Sequence, residues 1–199
     1  MSNYTAISNV GKTLVSLLWN SIKEDPQVNS IITNEDQISF SSPKEIESEG
    51  SKKLSLFLYH ITQFSEMRNQ EMPIKDSNTL GRPPLYLTLH YLITPSTQNR
   101  ESDQILLGKI MQIFLDNAIL RGSTLKGSLL ENGDELRLVM DPLSIDDLNK
   151  LWAIFDKHYK LCLSYSVSPV KIESTREVKV TRVVESTADY VEIEAETHE

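Results

Sequence analysis

Two apolar segments constrain the fold of this sequence more than any other feature. The first runs from Leu54 to Ile61 and the second from Leu85 to Pro95. In both segments apolar residues occupy consecutive positions, so both faces of each strand are predicted to be buried. A strand of this kind lies in the interior of a sheet that has other elements packed on each face. The sequence therefore predicts a sheet as the middle layer of the fold, at least around these two strands.

The remaining elements follow from the spacing of apolar residues and from turn signals. Residues 43–50 are polar and are predicted to form a solvated loop. The order of elements predicts a single-domain α+β fold, with a mainly antiparallel mixed sheet and helices packed over it. The domain is assigned residues 1–185, and an acidic C-terminal tail is assigned residues 186–199. Helical spacing predicts helices over residues 4–24, 101–121 and 144–155, and alternation predicts strands over residues 37–40, 135–140, 159–168 and 177–184.

The acidic residues are concentrated at the end of the chain. The net charge is −8, and residues 185–199 contain six acids and no lysine or arginine. These six acids account for most of the charge and leave −2 on the rest of the chain. A nearly balanced body lacks the basic face with which proteins bind phosphates, so no nucleic-acid partner is expected. The composition of the tail predicts a solvated end, or a segment that a partner holds in place.

Cysteine content and the lack of long apolar runs bear on the cellular compartment in which the protein is expected. Cys162 is the only cysteine, which excludes an internal disulfide and a thiolate metal cluster. The first residues lack the basic region and the apolar run of a signal peptide. No apolar run approaches the ~20 residues that span a bilayer. We therefore expect a cytoplasmic protein with no membrane partner.

No residue pattern in the sequence identifies a reaction. The glycines are scattered, with no phosphate-binding loop and no nucleophile elbow. Cys162 lies among serines in a predicted strand and is interpreted as a structural thiol. His60 and His90 lie at matching depths in the two apolar strands and are predicted to be neighbours, but no third metal ligand has a suitable spacing. We expect no metal, no cofactor and no enzyme activity; an enzyme with a site around these two histidines stays an alternative.

The polar segment that joins the two apolar strands, residues 62–84, is far longer than a hairpin turn requires. Long loops inside compact domains are usually functional or disordered. This one contains Arg68-Asn69 and Arg82-Pro83-Pro84. In one interpretation Arg82 pairs with a loop carboxylate such as Asp76, and the prolines stiffen the start of the second strand. In the other, these residues belong to a binding interface, because loops on rigid strands commonly carry binding.

Several short pieces of the sequence form an ordered pattern over roughly residues 4 to 185. The pieces are Ala6-Ile7 with Val10, Leu54 to Ile61, Arg68-Asn69, Arg82-Pro83-Pro84-Leu85, Tyr91 to Pro95, Leu106-Leu107-Gly108, Leu143-Ser144, Leu151-Trp152 and Tyr165 to Val170. Together they resemble the N-terminal domain family of the cap protein of extracellular contractile injection systems. These systems are phage-tail-like particles in which an inner tube lies inside a contractile sheath.

The resemblance implies a structural role and a tail-terminator-like fold, with neither catalysis nor a cofactor. The expected assembly is a ring of six copies that closes the end of the tube and sheath distal to the baseplate and fixes the length of the particle. Its partners would be further copies of itself, the inner tube protein and the sheath protein. The protein would assemble in the cytoplasm and then form part of a released or cell-associated particle.

Two parts of the chain are predicted to lie at interfaces with other copies, with the tube or with the sheath. One is the loop between the apolar strands. The other is the last strand with the acidic tail, Lys171 to Glu199, because strands with unpaired edges can add to a neighbouring sheet. A monomeric or dimeric module that binds a protein or peptide through residues 62–84 stays an alternative. The candidate interface residues are Arg68, Asn69, Arg82, Pro83, Pro84, Lys179, Arg182, Glu192 and Glu194.

Overall fold

The computed structural model of the protein describes residues 4–67, 72–76 and 79–179. Within these residues the helices are α1 (Ala6–Ile22), α2 (Pro26–Asn29), α3 (Pro43–Ser48), α4 (Arg100–Asp116), α5 (Ser128–Glu131) and α6 (Ile145–Phe155). The strands are β1 (Ile38–Ser39), β2 (Leu54–Gln63), β3 (Ile74–Asp76), β4 (Thr79–Gly81), β5 (Leu85–Pro95), β6 (Ile119–Arg121), β7 (Glu135–Met140), β8 (Leu163–Ile172) and β9 (Glu177–Lys179). None of the helices in this part of the chain combines the length and the apolar character that crossing a bilayer requires.

In the described part of the chain six strands form the main sheet, in the order β1-β2-β5-β8-β7-β6. Neighbouring strands are antiparallel, except that β1 and β2 are parallel. The two apolar strands, β2 and β5, pair along most of their length, with Leu54 opposite Pro95 and Gln63 opposite Leu87. The predicted α+β class and the mainly antiparallel sheet are therefore confirmed.

Helices cover the main sheet on both faces. On one face, α6 buries Trp152 and Phe155 against Leu92 and the partly buried Phe57. On the other face, α1 and α4 cover a larger core, whose fully buried residues include Leu14, Leu56, Leu89 and Ile110. The prediction that the two apolar strands lie in a middle layer is confirmed, because β2 and β5 contribute residues to both cores.

The first predicted helix is confirmed as α1, and the chain then begins the short helix α2. Pro26 occupies the first position of α2, where its missing N–H breaks no helical hydrogen bond. The Asp25 carboxylate caps this helix by accepting the N–H groups of Gln27 and Val28. It also lies 3.0 Å from the Lys109 ammonium on α4, and this contact lowers the pKa of Asp25. The cap of α2 therefore also joins this helix to α4.

The predicted loop over residues 43–50 is wrong, because most of it forms the helix α3. Ser42 and Glu45 form a capping box, in which the Ser42 hydroxyl accepts the Glu45 N–H and the Glu45 carboxylate accepts the Ser42 N–H at 2.7 Å. The hydrogen bond from the Ser42 N–H lowers the pKa of Glu45. Pro43 and Ile46 are buried. The cap and this small apolar face together explain why so polar a segment is helical.

Ser42→Ala is expected to lower the free energy of unfolding by about 0.5–2 kcal/mol, because the Glu45 N–H loses its acceptor at the start of α3. Chemical unfolding followed by circular dichroism measures the change. Ser51→Ala is the matched control, since Ser51 is exposed and lies beyond the helix, and it should change stability by no more than about 0.5 kcal/mol. Equal stability of the two variants would show that α3 does not depend on its cap.

The second long helix, α4, ends at Asp116, and the prediction that it extends to Arg121 is wrong. The backbone N–H and the side-chain amide of Asn117 both donate to a carbonyl of the last turn, which closes the helix. The chain then pairs as β6 with β7, where Leu120 is buried opposite Leu136. As a strand, this segment buries an apolar side chain and forms hydrogen bonds with the outer edge of β7. A longer α4 would form neither contact.

The strand predicted over residues 159–168 is displaced along the chain, because β8 begins at Leu163 and continues to Ile172. It lies between β5 and β7. Pro169, predicted to end the strand, lies within it. The pairing with β5 shifts at this point, so that two residues of β8 oppose Thr88. Such a bulge tolerates a residue that has no N–H to donate to the ladder.

Candidate interaction surface

Within residues 72–76 and 79–179, three short strands form a second sheet in the order β3-β4-β9, which we call the arm. In the arm Thr79 lies opposite Lys179 and Gly81 lies opposite Glu177. The arm therefore joins two parts of the chain that the sequence predicts separately as interfaces, the loop between the apolar strands and the last strand. Of the strand predicted over residues 177–184, the part after Lys179 lies outside the described residues.

The arm continues the ribbon formed by two strands of the main sheet, β5 and β8. These strands pair as far as Leu85 and Ile172, and the same two stretches of chain pair again as β4 and β9. Between the two paired regions lie Arg82-Pro83-Pro84 on one side and residues 173–176 on the other. Because proline has no backbone N–H to donate, the ladder is interrupted there. The proline pair thus separates the arm from the main sheet.

The arm exposes apolar side chains and strand edges. Ile74 is 66% exposed and Val178 is exposed as well; Met72, two residues before β3, is also exposed. Among the described residues, β3 and β9 are the edge strands of this sheet. Edge strands carry backbone groups that can pair with a strand of another chain. The arm is therefore suited to a contact with a partner protein.

Four of the nine candidate interface residues lie together at the arm. Arg82 and Lys179 are exposed, and Pro83 and Pro84 are partly buried. Their role in an interface stays a prediction, as does the alternative in which Arg82 pairs within its own loop. The other five candidates lie outside the described residues; they are Arg68, Asn69, Arg182, Glu192 and Glu194.

His60 and His90 are neighbours, as predicted. They lie opposite each other in the pairing of β2 with β5, and their ring centroids are 5.5 Å apart. The Nδ1 atom of His90 is 2.8 Å from the Asp141 carboxylate, and its Nε2 atom is 3.1 Å from the Thr62 hydroxyl. Sequence analysis missed Asp141, which follows β7, 51 positions after His90. Only the strand order of the folded sheet brings this carboxylate to the histidine.

The side chains with reactive chemistry do not converge on a metal site or an activated nucleophile in the described part of the chain. Among the described residues, no group of three or more His, Cys, Asp or Glu side chains could hold a metal ion. Burial raises the pKa of the Cys162 thiol, which disfavours the nucleophilic thiolate. This environment supports the interpretation of Cys162 as a structural thiol.

Comparisons with known proteins bear on the family and on the fold. The family model described as the Pvc16 N-terminal domain matches residues 9–186. A solved structure of a PVC sheath/tube terminator, from an extracellular contractile injection system in the extended state, covers 95% of this chain with a TM-score of 0.64 and 20% identity. A solved structure of the anti-feeding prophage cap, described as a tube-terminating cap, covers 91% with a TM-score of 0.61 and 17% identity.

These likenesses confirm the tail-terminator-like fold. The chain spans 64% of the length of the terminator chain and 60% of the length of the cap chain. A search of curated proteins finds no match.

Proposed function

Because this chain belongs to the family of Pvc16 N-terminal domains, we propose that it forms a cap that closes the tube and the sheath of a contractile injection system. The observation that carries the proposal is the family match over residues 9–186, supported by the fold shared with a tube terminator and a tube-terminating cap. The family match and the likeness of fold cover largely the same residues. The proposed position is the end of the particle distal to the baseplate.

The proposed cap is a ring of six copies that fixes the length of the particle. A closed ring requires heterologous contacts, in which one surface of a copy meets a different surface of the next. The arm supports this proposal, because it provides edge strands and exposed apolar side chains for such a contact. The role is structural, without catalysis, and the partners are the inner tube protein and the sheath protein. Assembly would take place in the cytoplasm before the cap becomes part of the particle.

We assign the arm and its flanking residues to the boundary between copies or to the contact with the tube or sheath. Arg82, Pro83, Pro84 and Lys179 support this assignment by their common position at the arm. The remaining assigned residues lie on either side of it in the sequence; they are Arg68, Asn69, Arg182, Glu192 and Glu194.

Arg82→Ala is expected to weaken ring assembly while changing the free energy of unfolding by less than about 1 kcal/mol, because Arg82 is exposed and its loss opens no cavity. Sedimentation velocity measures the assembly, and thermal unfolding of the same samples measures the fold. Arg121→Ala is the matched control, since Arg121 is exposed on β6 at the far edge of the main sheet. A loss of fold in Arg82→Ala would instead support the pairing of Arg82 within its own loop.

The function is tested by assembling particles with and without this protein and measuring their lengths by electron microscopy. With the protein present, we expect a narrow distribution of lengths and a density that closes one end. Without it, we expect a broad distribution and open distal ends, and adding the protein during assembly should restore the narrow one. An unchanged length distribution without the protein would contradict length control.

A further inference from the structure

A groove with a positive charge lies at the end of the main sheet opposite to the arm. It has a volume of about 860 Å³ and lies where β5 ends, α4 begins and the chain approaches β8. Its cationic side chains are Arg100, Lys157 and Lys160, and its carboxylates are Glu47 and Asp103. We call it the basic groove. Its charge is opposite in sign to that of the whole chain, which is −8.

The two carboxylates of the basic groove are already engaged by the chain itself. Glu47 accepts a hydrogen bond from Lys157 at 2.8 Å and another from Lys160, and these contacts lower the pKa of Glu47. Two ammonium groups therefore share one carboxylate. Asp103 accepts the backbone N–H and the hydroxyl of Thr97. The three cations outnumber the two carboxylates, so the groove keeps a net positive charge that an acidic partner can neutralise.

The basic groove also exposes two large apolar side chains beside its cations. Tyr159 is 51% exposed and Leu161 is 50% exposed. The Tyr159 ring packs edge-on against the buried Trp152, with ring centroids 6.0 Å apart, which holds it in position. A partner that fits this surface needs acidic groups and apolar groups in close alternation.

We propose that the basic groove binds the acidic segment of a second copy of this chain, residues 185–199. The central part of this segment reads Val191-Glu192-Ile193-Glu194-Ala195-Glu196. An extended chain with this sequence presents its acids on one side and its apolar residues on the other. The acids match Arg100 and the two lysines, and the apolar residues match Tyr159 and Leu161. The proposal rests on the ring proposed above and identifies one of its contacts.

The geometry of the ribbon favours the segment of a second copy over that of the same chain. β9 is antiparallel to β4, so the chain at Lys179 runs away from the basic groove. Thr79, which pairs with Lys179, precedes Pro95 at the groove by 16 residues, or about 50 Å of extended chain. Glu192, Glu194 and Glu199 follow Lys179 by 13, 15 and 20 residues, or about 45, 50 and 70 Å of fully extended chain. The same chain could therefore return to the groove only by reversing at once and running nearly straight for most of this length. A neighbour placed head to tail avoids this reversal.

Two variants with reversed charges test the contact in the full chain. Lys157→Glu with Lys160→Glu alters the groove, and Glu192→Lys with Glu194→Lys alters the segment. Each double variant alone is expected to weaken self-association by at least about tenfold, since like charges then face each other. A mixture of the two is expected to assemble again, because each intact segment meets an intact groove and each reversed segment meets a reversed groove.

The matched control for charge is Lys12→Glu with Lys126→Glu, two exposed lysines that do not line the groove. It should associate as the wild type does. Groove and segment variants that associate like this control would overturn the proposal. So would a mixture that stays dissociated while both variants are folded.

A peptide titration separates this proposal from the ring itself. The probe is a labelled synthetic peptide of residues 185–199, added to the full chain that carries Glu192→Lys and Glu194→Lys. We expect the peptide to bind, and its affinity to fall as the salt concentration rises. The affinity should be at least about tenfold lower for a chain that also carries the two groove substitutions. It should also be lower for a scrambled peptide of the same composition. Binding that ignores the groove substitutions overturns the groove proposal and leaves the cap function standing. A wild type that binds the peptide at the groove and yet associates neither alone nor on added tubes supports the groove as a binding site and contradicts the ring.

Discussion

Replacing Trp152 by alanine is expected to lower the free energy of unfolding by about 3–5 kcal/mol. Trp152 is buried on α6 and packs edge-on against Phe155, with ring centroids 5.8 Å apart. It belongs to the small core that also includes Leu92 of β5. Its removal leaves a cavity between α6 and the sheet. Chemical unfolding followed by circular dichroism and by fluorescence measures the loss.

The control for this prediction lies two residues away on the same helix. Ile154 is 76% exposed, so Ile154→Ala removes little buried surface and should change stability by no more than about 0.5 kcal/mol. If Trp152→Ala lowered the free energy of unfolding as little as Ile154→Ala, α6 would not pack on the sheet through the side of the helix that carries Trp152. The sheet would then not be a middle layer.

Phe114 lies on the opposite face of the main sheet, and replacing it by alanine is expected to lower the free energy of unfolding by about 3–5 kcal/mol. Phe114 is fully buried on α4, and its ring packs edge-on against Tyr165 of β8, with centroids 4.8 Å apart. The lost contact joins the helix layer to a strand that is paired on both sides. The same unfolding measurement gives the cost.

The adjacent residue provides the control for Phe114. Leu115 is 77% exposed, and Leu115→Ala should stay within about 0.5 kcal/mol of the wild type. Because Phe114 and Trp152 belong to separate cores on opposite faces, their separate costs should add in the double variant within about 0.5 kcal/mol, provided that it still folds. A large coupling between them would contradict the separation into two cores.

The central strands and the layer order could be predicted because the signal for them is local. Consecutive apolar residues in β2 and β5 indicate burial on both faces without any knowledge of their neighbours. The first helix could be predicted for the same reason, since the apolar residues of α1 recur at regular helical spacing. The predicted start of the helix over residues 144–155 agrees with α6, because the Ser144 side chain accepts the Asp147 N–H and caps this helix.

Two of the errors came from elements whose limits are set by tertiary contacts. Arg121 and the following glycine look like the end of a helix, yet burial of Leu120 against β7 makes this stretch a strand. Pro169 looks like a strand breaker, yet a bulge opposite Thr88 accommodates it. Neither the free edge of β7 nor the register of β8 is visible in a short window of sequence.

The helix α3 is a different kind of error, because its signal was present in the sequence. Ser42, Pro43 and Glu45 have the spacing of a capping box with proline at the first helical position. The polarity of residues 43–50 nevertheless favours a loop when composition alone is considered.

The sequence predicts the candidate interface as two separate segments, and only the fold shows that these segments meet. Thr79 and Lys179 are 100 residues apart in sequence and lie opposite each other in the arm. The contact between His90 and Asp141 is hidden in the same way, since it depends on the order of strands in the main sheet. Sequence patterns identify the elements of such a surface, whereas their pairing depends on contacts between distant parts of the chain.

The most direct test of the proposed cap is the mass of the protein in solution, measured over a range of concentrations, alone and with assembled inner tubes. The proposal predicts a closed species close to six times the chain mass of 22.6 kDa, formed by the protein alone or on the ends of added tubes. A monomer at every concentration that leaves the tubes unbound would contradict the cap and favour a module that binds a peptide through residues 62–84.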